Sequence, residues 1–255
     1  MSEFFITSLT VTLAFMFCGW VVSFIKDDVS VVDILWGPAC AISGAVYFFL
    51  APETGLRALL VTGVVLLWAI RLAGYVAWRN HGKPEDRRYR AMREANGAGW
   101  RWRALVTVFC LQGVLAFVIA LPLYGTAVSD AALGWLDYTG LGIALFGLWF
   151  ETIADLQMAA FQSREKNASS VMNQGLWKYS RHPNYFGEFC VWWGLWLCAL
   201  SAGYWWSVIG PALLTFFLLK VSGIGLTEKT ITTRRPEYQA YIDRTSAFIP
   251  RLPRS

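Results

Sequence analysis

Charged residues are scarce in this chain. Asp, Glu, Lys and Arg together make up 15% of its 255 residues, whereas a soluble globular domain contains about 25%. Hydrophobic residues make up 56% and occur in long runs with few interruptions. This composition excludes an ordinary soluble domain and indicates a polytopic membrane protein. The 14 tryptophans fit the aromatic belts that form at the two membrane interfaces.

The common signatures of metal, disulfide and nucleotide sites are also missing from the sequence. The cysteines form no CxxC pair, and His81 and His182 lack HExxH spacing, so we expect neither a disulfide framework nor a metal site. Gly140-Leu141-Gly142 is followed by Leu145 where a dinucleotide fingerprint needs glycine, and no Walker loop or Ser/His/Asp signature occurs. A bound nucleotide would therefore need a membrane-embedded mode other than a Rossmann fold. The N-terminus lacks the basic segment and cleavage site of a signal peptide, so we do not expect one.

The apolar runs predict seven membrane-spanning helices. Each is close to the ~20 residues that a helix needs to cross a bilayer, except the longer fifth, whose end is expected to continue into water. The seven spans cover, in order, Phe5–Ile25, Val31–Ala51, Arg57–Arg79, Ala104–Tyr124, Ala132–Phe161, Tyr185–Ser201 and Trp205–Gly225. The expected fold is therefore an all-α integral membrane protein, a seven-transmembrane-helix bundle in one domain over residues 1–255.

With seven spans, most basic residues fall on one side of the membrane. They lie in two loops, 79–103 and 162–184, and in the tail 226–255, whereas the opposite side contains only Arg57. The positive-inside rule then places the N-terminus outside and the C-terminus in the cytoplasm, in a bacterial inner membrane or its equivalent. Because topology explains the net charge of +5, nucleic acid is not an expected partner.

A few ionisable residues interrupt the predicted spans. Such groups are rare inside membranes and usually face a polar cavity. Glu151 and Asp155 are four residues apart and therefore share one helix face, where they could bind a cation or ribose hydroxyls. The alternative is a structural lattice of ion pairs, for example between Asp33 and Arg71. The full set is Asp33, Arg71, Glu151, Asp155, Glu188 and Lys220.

The most polar membrane-entry segment is Ser180–Glu188, which runs directly into the apolar sequence that follows. It contains a guanidinium, an imidazole, an amide, a phenol and a carboxylate within nine residues. Pro183 breaks the incoming helix and disfavours the α conformation at His182. Irregular backbone at membrane depth is tolerated where it lines a cavity. We therefore predict that this segment, called the junction below, contacts a ligand, with His182 as a hydrogen-bonding group or loop anchor.

The C-terminal half resembles the steroid 5-alpha-reductase family, most closely its divergent bacterial-type branch of membrane proteins. The resemblance rests on motifs whose order is specific. They are Glu151-xxx-Asp155-Leu156-Gln157, the segment from Phe161 to Asn167, Gly175-Leu176-Trp177, the junction, Glu228-Lys229, Arg235-Pro236, Tyr238-xx-Tyr241 and Phe248-Ile249-Pro250.

This resemblance implies a seven-helix bundle that holds NADPH on its cytoplasmic side. It further implies reduction of an activated carbon–carbon double bond in a lipophilic substrate, steroid-like or isoprenoid. Arginines suit the cofactor's phosphates, carboxylates suit its ribose hydroxyls, and Asn184 can pair with the nicotinamide amide. Carried over position by position, the cofactor-binding residues are Glu151, Asp155, Arg164, Arg181, His182, Asn184, Tyr185 and Glu188.

The resemblance also implies which residues donate the proton in the reaction. Steroid reductases pair a glutamate on the second span with a tyrosine on the third, both at the substrate carbonyl. Asp33 lies near the glutamate position by spacing, whereas the tyrosine position falls close to Trp68, which cannot act as an acid. Tyr75, about two turns further on, is the candidate substitute. Asp33 and Tyr75 are therefore the predicted catalytic residues.

Two other functions are compatible with the sequence. An isoprenylcysteine-type membrane methyltransferase that uses S-adenosylmethionine also has an RHPxY-like junction, a downstream glutamate and a Tyr-rich tail. A transporter or scaffold could use the buried charges as an ion path. The acids Glu151 and Asp155 and the pair Asn184 and Glu188 favour the reductase. The expected partners are a lipophilic small molecule and membrane lipid, with no obligate protein partner.

Overall fold

The computed structural model describes residues 1–164, 170–221, 224, 228, 231 and 237–254. All the regular secondary structure in this part of the chain is helical. The chain divides into two compact units. The first unit is Met1–Gly134 with Cys198–Ile209, and the second is Trp135–Leu197 with Gly210–Ser255.

Three long helices open the first unit: α1 (Ser2–Lys26), α2 (Val31–Leu50) and α3 (Leu56–Asn80). α1 ends where Asp27 adopts a left-handed conformation, with φ 54°, and donates its backbone N–H to the carbonyl of Ser23. Each helix coincides with one of the first three predicted spans.

The fourth helical stretch begins earlier than the sequence predicted. It runs from Arg87 to Ile119, although the predicted span starts at Ala104 and the preceding residues were expected to form a loop. Asp86 explains the early start, because its Oδ1 accepts the backbone N–H of Arg88 at 2.9 Å and so caps the helix. The stretch comprises α4 (Arg87–Asn96), a 3₁₀ turn (Gly97–Gly99), α5 (Trp100–Ala104), a π-helical turn (Leu105–Cys110) and α6 (Leu111–Ile119), and α7 (Leu121–Val128) follows it.

The second unit is built on two long helices, α8 (Trp135–Arg164) and α9 (Pro183–Ser201), although the last turn of α9 belongs to the first unit. A 3₁₀ turn, Gly175–Lys178, precedes α9. Three further elements follow, of which the first lies in the first unit. They are a 3₁₀ turn (Trp205–Val208), α10 (Ile209–Phe216) with a π-helical end (Phe217–Val221), and a tail helix (Tyr238–Arg244).

Five helices in the described residues are long and apolar enough to cross a membrane, which confirms the class of the protein. They are Ser2–Lys26, Val31–Leu50, Leu56–Asn80, Arg87–Ile119 and Trp135–Arg164. The predicted sixth span coincides with α9. The seventh coincides with the shorter apolar helix Trp205–Val221, and its predicted end at residue 225 lies outside the described residues. The count of seven spans and the orientation of the termini stay predictions.

Glycines bring α8 and α9 into backbone contact. A Cβ added at Gly147 would lie 2.5 Å from the carbonyl oxygen of Gly187, and one added at Gly187 would lie 2.6 Å from the backbone nitrogen of Glu151. No larger side chain fits at either position, because real Cβ atoms do not approach other heavy atoms this closely. Small residues allow such close packing of membrane helices, and here they place Glu151 against the start of α9.

We expect Gly187→Ala to destabilise the protein by about 1–3 kcal/mol, because the added methyl group forces α8 and α9 apart. Gly142→Ala is the matched control, since Gly142 also lies on α8 and an added Cβ there meets nothing within 4 Å. Thermal unfolding in detergent should therefore show a lower Tm for Gly187→Ala and an unchanged or slightly higher Tm for Gly142→Ala. Equal Tm values for the two variants would contradict this account of the helix contact.

Candidate functional site

Only the first three residues of the junction, Ser180–His182, are irregular, because α9 begins directly at Pro183 and includes the rest of the junction. Proline suits the first turn of a helix because its missing N–H would have no partner within the helix. His182 donates its backbone N–H to Ser180 Oγ at 3.1 Å, and Ser180 Oγ donates to the carbonyl of Phe248 at 2.7 Å. Asn184 and Glu188 consequently lie on the first two turns of α9, four residues apart and on one face.

Asp155 and Asn184 meet where α8 and α9 touch, and Glu151 and Glu188 lie one turn away from them on the same two helices. The side chains of Glu151, Asp155 and Glu188 are buried, with 3%, 5% and 8% of their residue surface exposed. Asn184 Nδ2 donates to Asp155 Oδ1 at 3.3 Å. Glu151 contacts the same region through the close approach of its backbone to Gly187. We call Glu151, Asp155, Asn184 and Glu188 the acid–amide cluster.

The side-chain oxygen of Asn184 is the notable atom of this cluster. Asn184 Oδ1 is buried and has no hydrogen-bond partner among the described residues. Buried polar atoms in proteins are nearly always paired, because leaving one unpaired costs about 1–3 kcal/mol. An acceptor of this kind is suited to an N–H or O–H donor from a bound molecule.

Arg181, predicted to bind the cofactor, donates to groups of the protein itself. Its Nε and Nη2 donate to the two carboxylate oxygens of Glu228 at 2.7 and 2.8 Å. Its Nη1 donates to the carbonyls of Ile242 and Thr245 at 3.1 and 2.6 Å. His182 Nε2 lies 3.1 Å from Glu228 Oε1. Arg181 and Glu228 therefore form a bidentate clamp between the junction and the tail.

Glu228 is ionised in this clamp at neutral pH. Burial alone raises the pKa of its carboxyl group, but the hydrogen bonds from His182 and Arg181 outweigh burial and lower the pKa to about 2. Glu228 belongs to the tail motif of the sequence, which predicted no partner for it. No local pattern links it to Arg181, because the two residues are 47 positions apart.

Backbone hydrogen bonds extend the contact between the junction and the tail. The N–H of Arg181 donates to the carbonyl of Ser246 at 2.9 Å, and the N–H of Arg251 donates to the carbonyl of Tyr179 at 3.0 Å. The hydroxyl of Tyr241 donates to the carbonyl of Trp177. The tail thus holds the irregular backbone of the junction in one conformation.

The remaining predicted cofactor residues lie at the edges of this region. Tyr185 stacks on the ring of His182, with the ring centroids 5.3 Å apart and the planes 3° from parallel. Arg164 is exposed and ends α8. The neighbouring predicted motif residues, Lys166, Asn167, Lys229, Arg235 and Pro236, lie outside the described residues.

In the first unit, Asp33 pairs with residues of α4. Its Oδ2 accepts Arg88 Nη2 at 2.7 Å, and its Oδ1 accepts the hydroxyl of Tyr89 at 2.7 Å. Gln112 Nε2 lies 3.4 Å from the same hydroxyl and donates to it. The sequence suggested Arg71 as a possible ion-pair partner of Asp33, whereas in the structure Arg88 pairs with it.

Tyr89, the tyrosine that contacts Asp33, was not among the predicted site residues. Tyr89 is 5% exposed and lies in the segment predicted to be a loop. Tyr75, the predicted acid, lies under the guanidinium of Arg79, whose Cζ is 5.7 Å from the ring centroid. Trp68, at the expected tyrosine position, is fully buried and belongs to the core of the first unit.

Other charges near α4 also form ion pairs, among residues that the sequence did not single out. Arg93 donates to Asp27 Oδ1 at 2.6 Å and to Glu85 Oε2 at 2.9 Å. Arg101 contacts the same oxygen of Asp27 at 3.0 Å. The hydrogen bond from Arg93 holds the pKa of the Asp27 carboxyl below its usual value. These pairs tie the end of α1 to the fourth helical stretch.

A sequence profile for one protein family matches residues 19–245, which is most of the chain. The chain belongs to this family. It is described as a protein of unknown function, DUF1295. No solved structure matches the chain significantly.

Two curated proteins are similar to the chain. The cobalt-zinc-cadmium resistance protein CzcN of Cupriavidus metallidurans is 28% identical over 151 residues, 59% of this chain and 62% of that protein. The chain therefore spans less than two thirds of the length of CzcN. An uncharacterized protein of Schizosaccharomyces pombe is 23% identical over 269 residues, 91% of this chain and 76% of that protein. Among the residues that the structure describes, no three or more His, Cys, Asp and Glu side chains are arranged to hold a metal ion.

Proposed function

We propose that this protein is an NADPH-dependent membrane reductase. Its substrate is a lipophilic molecule, steroid-like or isoprenoid, with an activated carbon–carbon double bond. The observation that carries this proposal is the buried, unpartnered Oδ1 of Asn184 in the acid–amide cluster. The resemblance of the junction and its flanking motifs to the steroid 5-alpha-reductase family supports the same conclusion.

The acid–amide cluster fits the donors that NADPH presents. A nicotinamide carboxamide carries N–H groups, and one of them suits Asn184 Oδ1. Ribose hydroxyls are donors as well, and they suit the carboxylates of Glu151, Asp155 and Glu188. When bound, the cofactor supplies the hydride, while the protein supplies binding and orientation.

Arginine and histidine side chains have two roles in this proposal. Arg164 is exposed at the end of α8 and is the candidate ligand for a phosphate. Arg181 and His182 bind Glu228 and thereby fix the backbone from which α9 starts, and Tyr185 stacks on His182. Direct contact of Arg181, His182 or Tyr185 with the cofactor stays a prediction. The cofactor site faces the cytoplasm, where a soluble dinucleotide is available.

The candidate proton donor is Tyr89, whose hydroxyl contacts Asp33. Two donors, Arg88 and Tyr89, contact the carboxyl group of Asp33. In the hydrogen bond between Tyr89 and Asp33, the phenol is the donor and therefore holds the proton. Asp33 and Gln112 orient the hydroxyl of Tyr89, and the phenol donates to the substrate oxygen as the double bond is reduced.

The binding preference of the purified chain tests this function. Isothermal titration calorimetry of the protein in neutral detergent should show NADPH binding at least about tenfold more tightly than S-adenosylmethionine. The reverse order would overturn the reductase and favour the methyltransferase that shares an RHPxY-like junction. NADH is the second test ligand. It should bind more weakly than NADPH, because arginines contact the additional phosphate of NADPH.

A further inference from the structure

A basic cavity of about 280 Å³ lies in the tail, apart from the acid–amide cluster. Its lining includes four arginines, namely Arg181, Arg244, Arg251 and Arg254. Arg181 is already neutralised by Glu228. Asp243 is the acidic residue among the described lining, and its Oδ1 accepts Gln239 Nε2 at 2.9 Å. The lining thus contains three further arginines and one aspartate, and this excess of positive charge attracts an anion.

The size of the cavity limits the anion that it can take. Pockets for drug-sized molecules and cofactors measure about 300–1,000 Å³, so this one is too small to enclose a dinucleotide. It is large enough for a single phosphate ester. Planar guanidinium groups bind phosphate oxygens two at a time, which makes arginine the usual residue for such a site.

The backbone around the cavity is held in place before any ligand binds. The N–H of Arg254 donates to the carbonyl of Arg244 at 2.9 Å, and the N–H of Arg251 donates to the carbonyl of Tyr179 at 3.0 Å. Arg244 Nε donates to the carbonyl of Ala240 within the tail helix. The three arginines therefore start from fixed backbone positions, which reduces the entropy lost on binding.

Exposed apolar side chains alternate with these arginines. Ile249 is 51% exposed and Leu252 is 83% exposed, and they flank Arg251 in the sequence. Arginines beside exposed large apolar residues are typical of segments at membrane surfaces, where the apolar groups enter the acyl region and the cations meet lipid phosphates. A soluble anion would not require these two apolar residues to be exposed.

We propose that the tail cavity binds the phosphate ester of an anionic phospholipid head group, with Arg244, Arg251 and Arg254 as its ligands. Ile249 and Leu252 insert beside the head group. Because Arg251 also holds Tyr179 through its backbone, the lipid fastens the tail to the membrane next to the junction. This site is independent of NADPH and of the proposed reductase activity.

The test is native mass spectrometry of the full chain in neutral detergent, titrated with phosphatidylglycerol or phosphatidylcholine. A variant with Arg244→Gln, Arg251→Gln and Arg254→Gln removes three charges from the cavity. A matched control with Lys83→Gln, Arg87→Gln and Arg90→Gln removes three charges from exposed residues of the first unit. We expect the tail variant to bind phosphatidylglycerol at least about tenfold more weakly, with the control within about twofold of the wild type and phosphatidylcholine binding unchanged in both.

Equal losses in the two triple variants, or no loss in the tail variant, would overturn the site. Soluble glycerol phosphate distinguishes the two sources of a phosphate ester. If it displaces phosphatidylglycerol at similar concentrations, the cavity binds a soluble phosphate ester and the membrane part of the proposal is wrong. Leu252→Ser provides a second variant that keeps all three arginines and alters an exposed side chain. It should weaken phosphatidylglycerol binding, and unchanged binding would contradict the insertion of Leu252.

Discussion

Asn184→Ala is expected to weaken NADPH binding strongly. The substitution removes the buried acceptor Oδ1 and also removes the donor that contacts Asp155 Oδ1 at 3.3 Å. Asp155 would then remain buried without this hydrogen bond, which adds to the cost of binding. Together these losses correspond to a decrease in NADPH affinity on the order of a hundredfold. Fluorescence titration of the reduced nicotinamide, or calorimetry, measures the change directly.

Asn173→Ala is the matched control for this prediction. Asn173 lies in the same unit and is exposed, so the identical change of chemistry should leave NADPH affinity unchanged. Asp155→Ala should reproduce the loss seen with Asn184→Ala, because the two side chains bind each other. Wild-type NADPH affinity in both Asn184→Ala and Asp155→Ala would place the cofactor elsewhere in the protein.

Tyr89→Phe is expected to slow substrate reduction by about 10²–10⁴-fold while NADPH affinity stays unchanged. The substitution keeps the ring in its buried position and removes only the hydroxyl that contacts Asp33. Loss of a positioned general acid has effects of this size on the chemical step. The measurement is single-turnover oxidation of bound NADPH with an enone that the wild-type protein reduces.

Tyr75→Phe provides the comparison, since sequence analysis nominated that residue. We expect nearly full turnover in Tyr75→Phe and a large loss in Tyr89→Phe, because the hydroxyl of Tyr89 is the one in contact with Asp33. Asp33→Asn should slow reduction and preserve cofactor binding, because Asp33 acts through the orientation of Tyr89. If substrate reduction is slow in Tyr75→Phe and fast in Tyr89→Phe, the acid is Tyr75 and not Tyr89.

Local features of the site could be predicted from the sequence. The i, i+4 spacing placed Glu151 and Asp155 on one face of a helix, and both residues are buried there. Pro183 predicted the end of helical structure before it, because proline restricts the residue that precedes it. Its position at the first turn of α9 agrees with that prediction. Such features depend on a few neighbouring residues, which is why a single sequence suffices for them.

The helix from Arg87 shows where local pattern was misleading. Its first part has many charges and no apolar run, which is the composition expected of a cytoplasmic loop. Arginine, alanine, methionine and glutamate are nevertheless good helix formers, and Asp86 caps the first turn. Tertiary ion pairs, such as Arg93 with Asp27 and Glu85, add stability that hydropathy does not register. Because this segment was predicted to be a loop, Tyr89 was not recognised as the residue that contacts Asp33.

The protein class, most of the long apolar helices and the polar start of α9 could be predicted from the sequence alone. The pairing of the polar side chains is set by the folded chain. Asp33 meets Arg88 and Tyr89 across 55 and 56 residues, and Arg181 meets Glu228 across 47. The physical reason is that periodicity and helix signals describe neighbours within a few turns, whereas buried charges are satisfied by whichever donors the folded chain brings within hydrogen-bond distance.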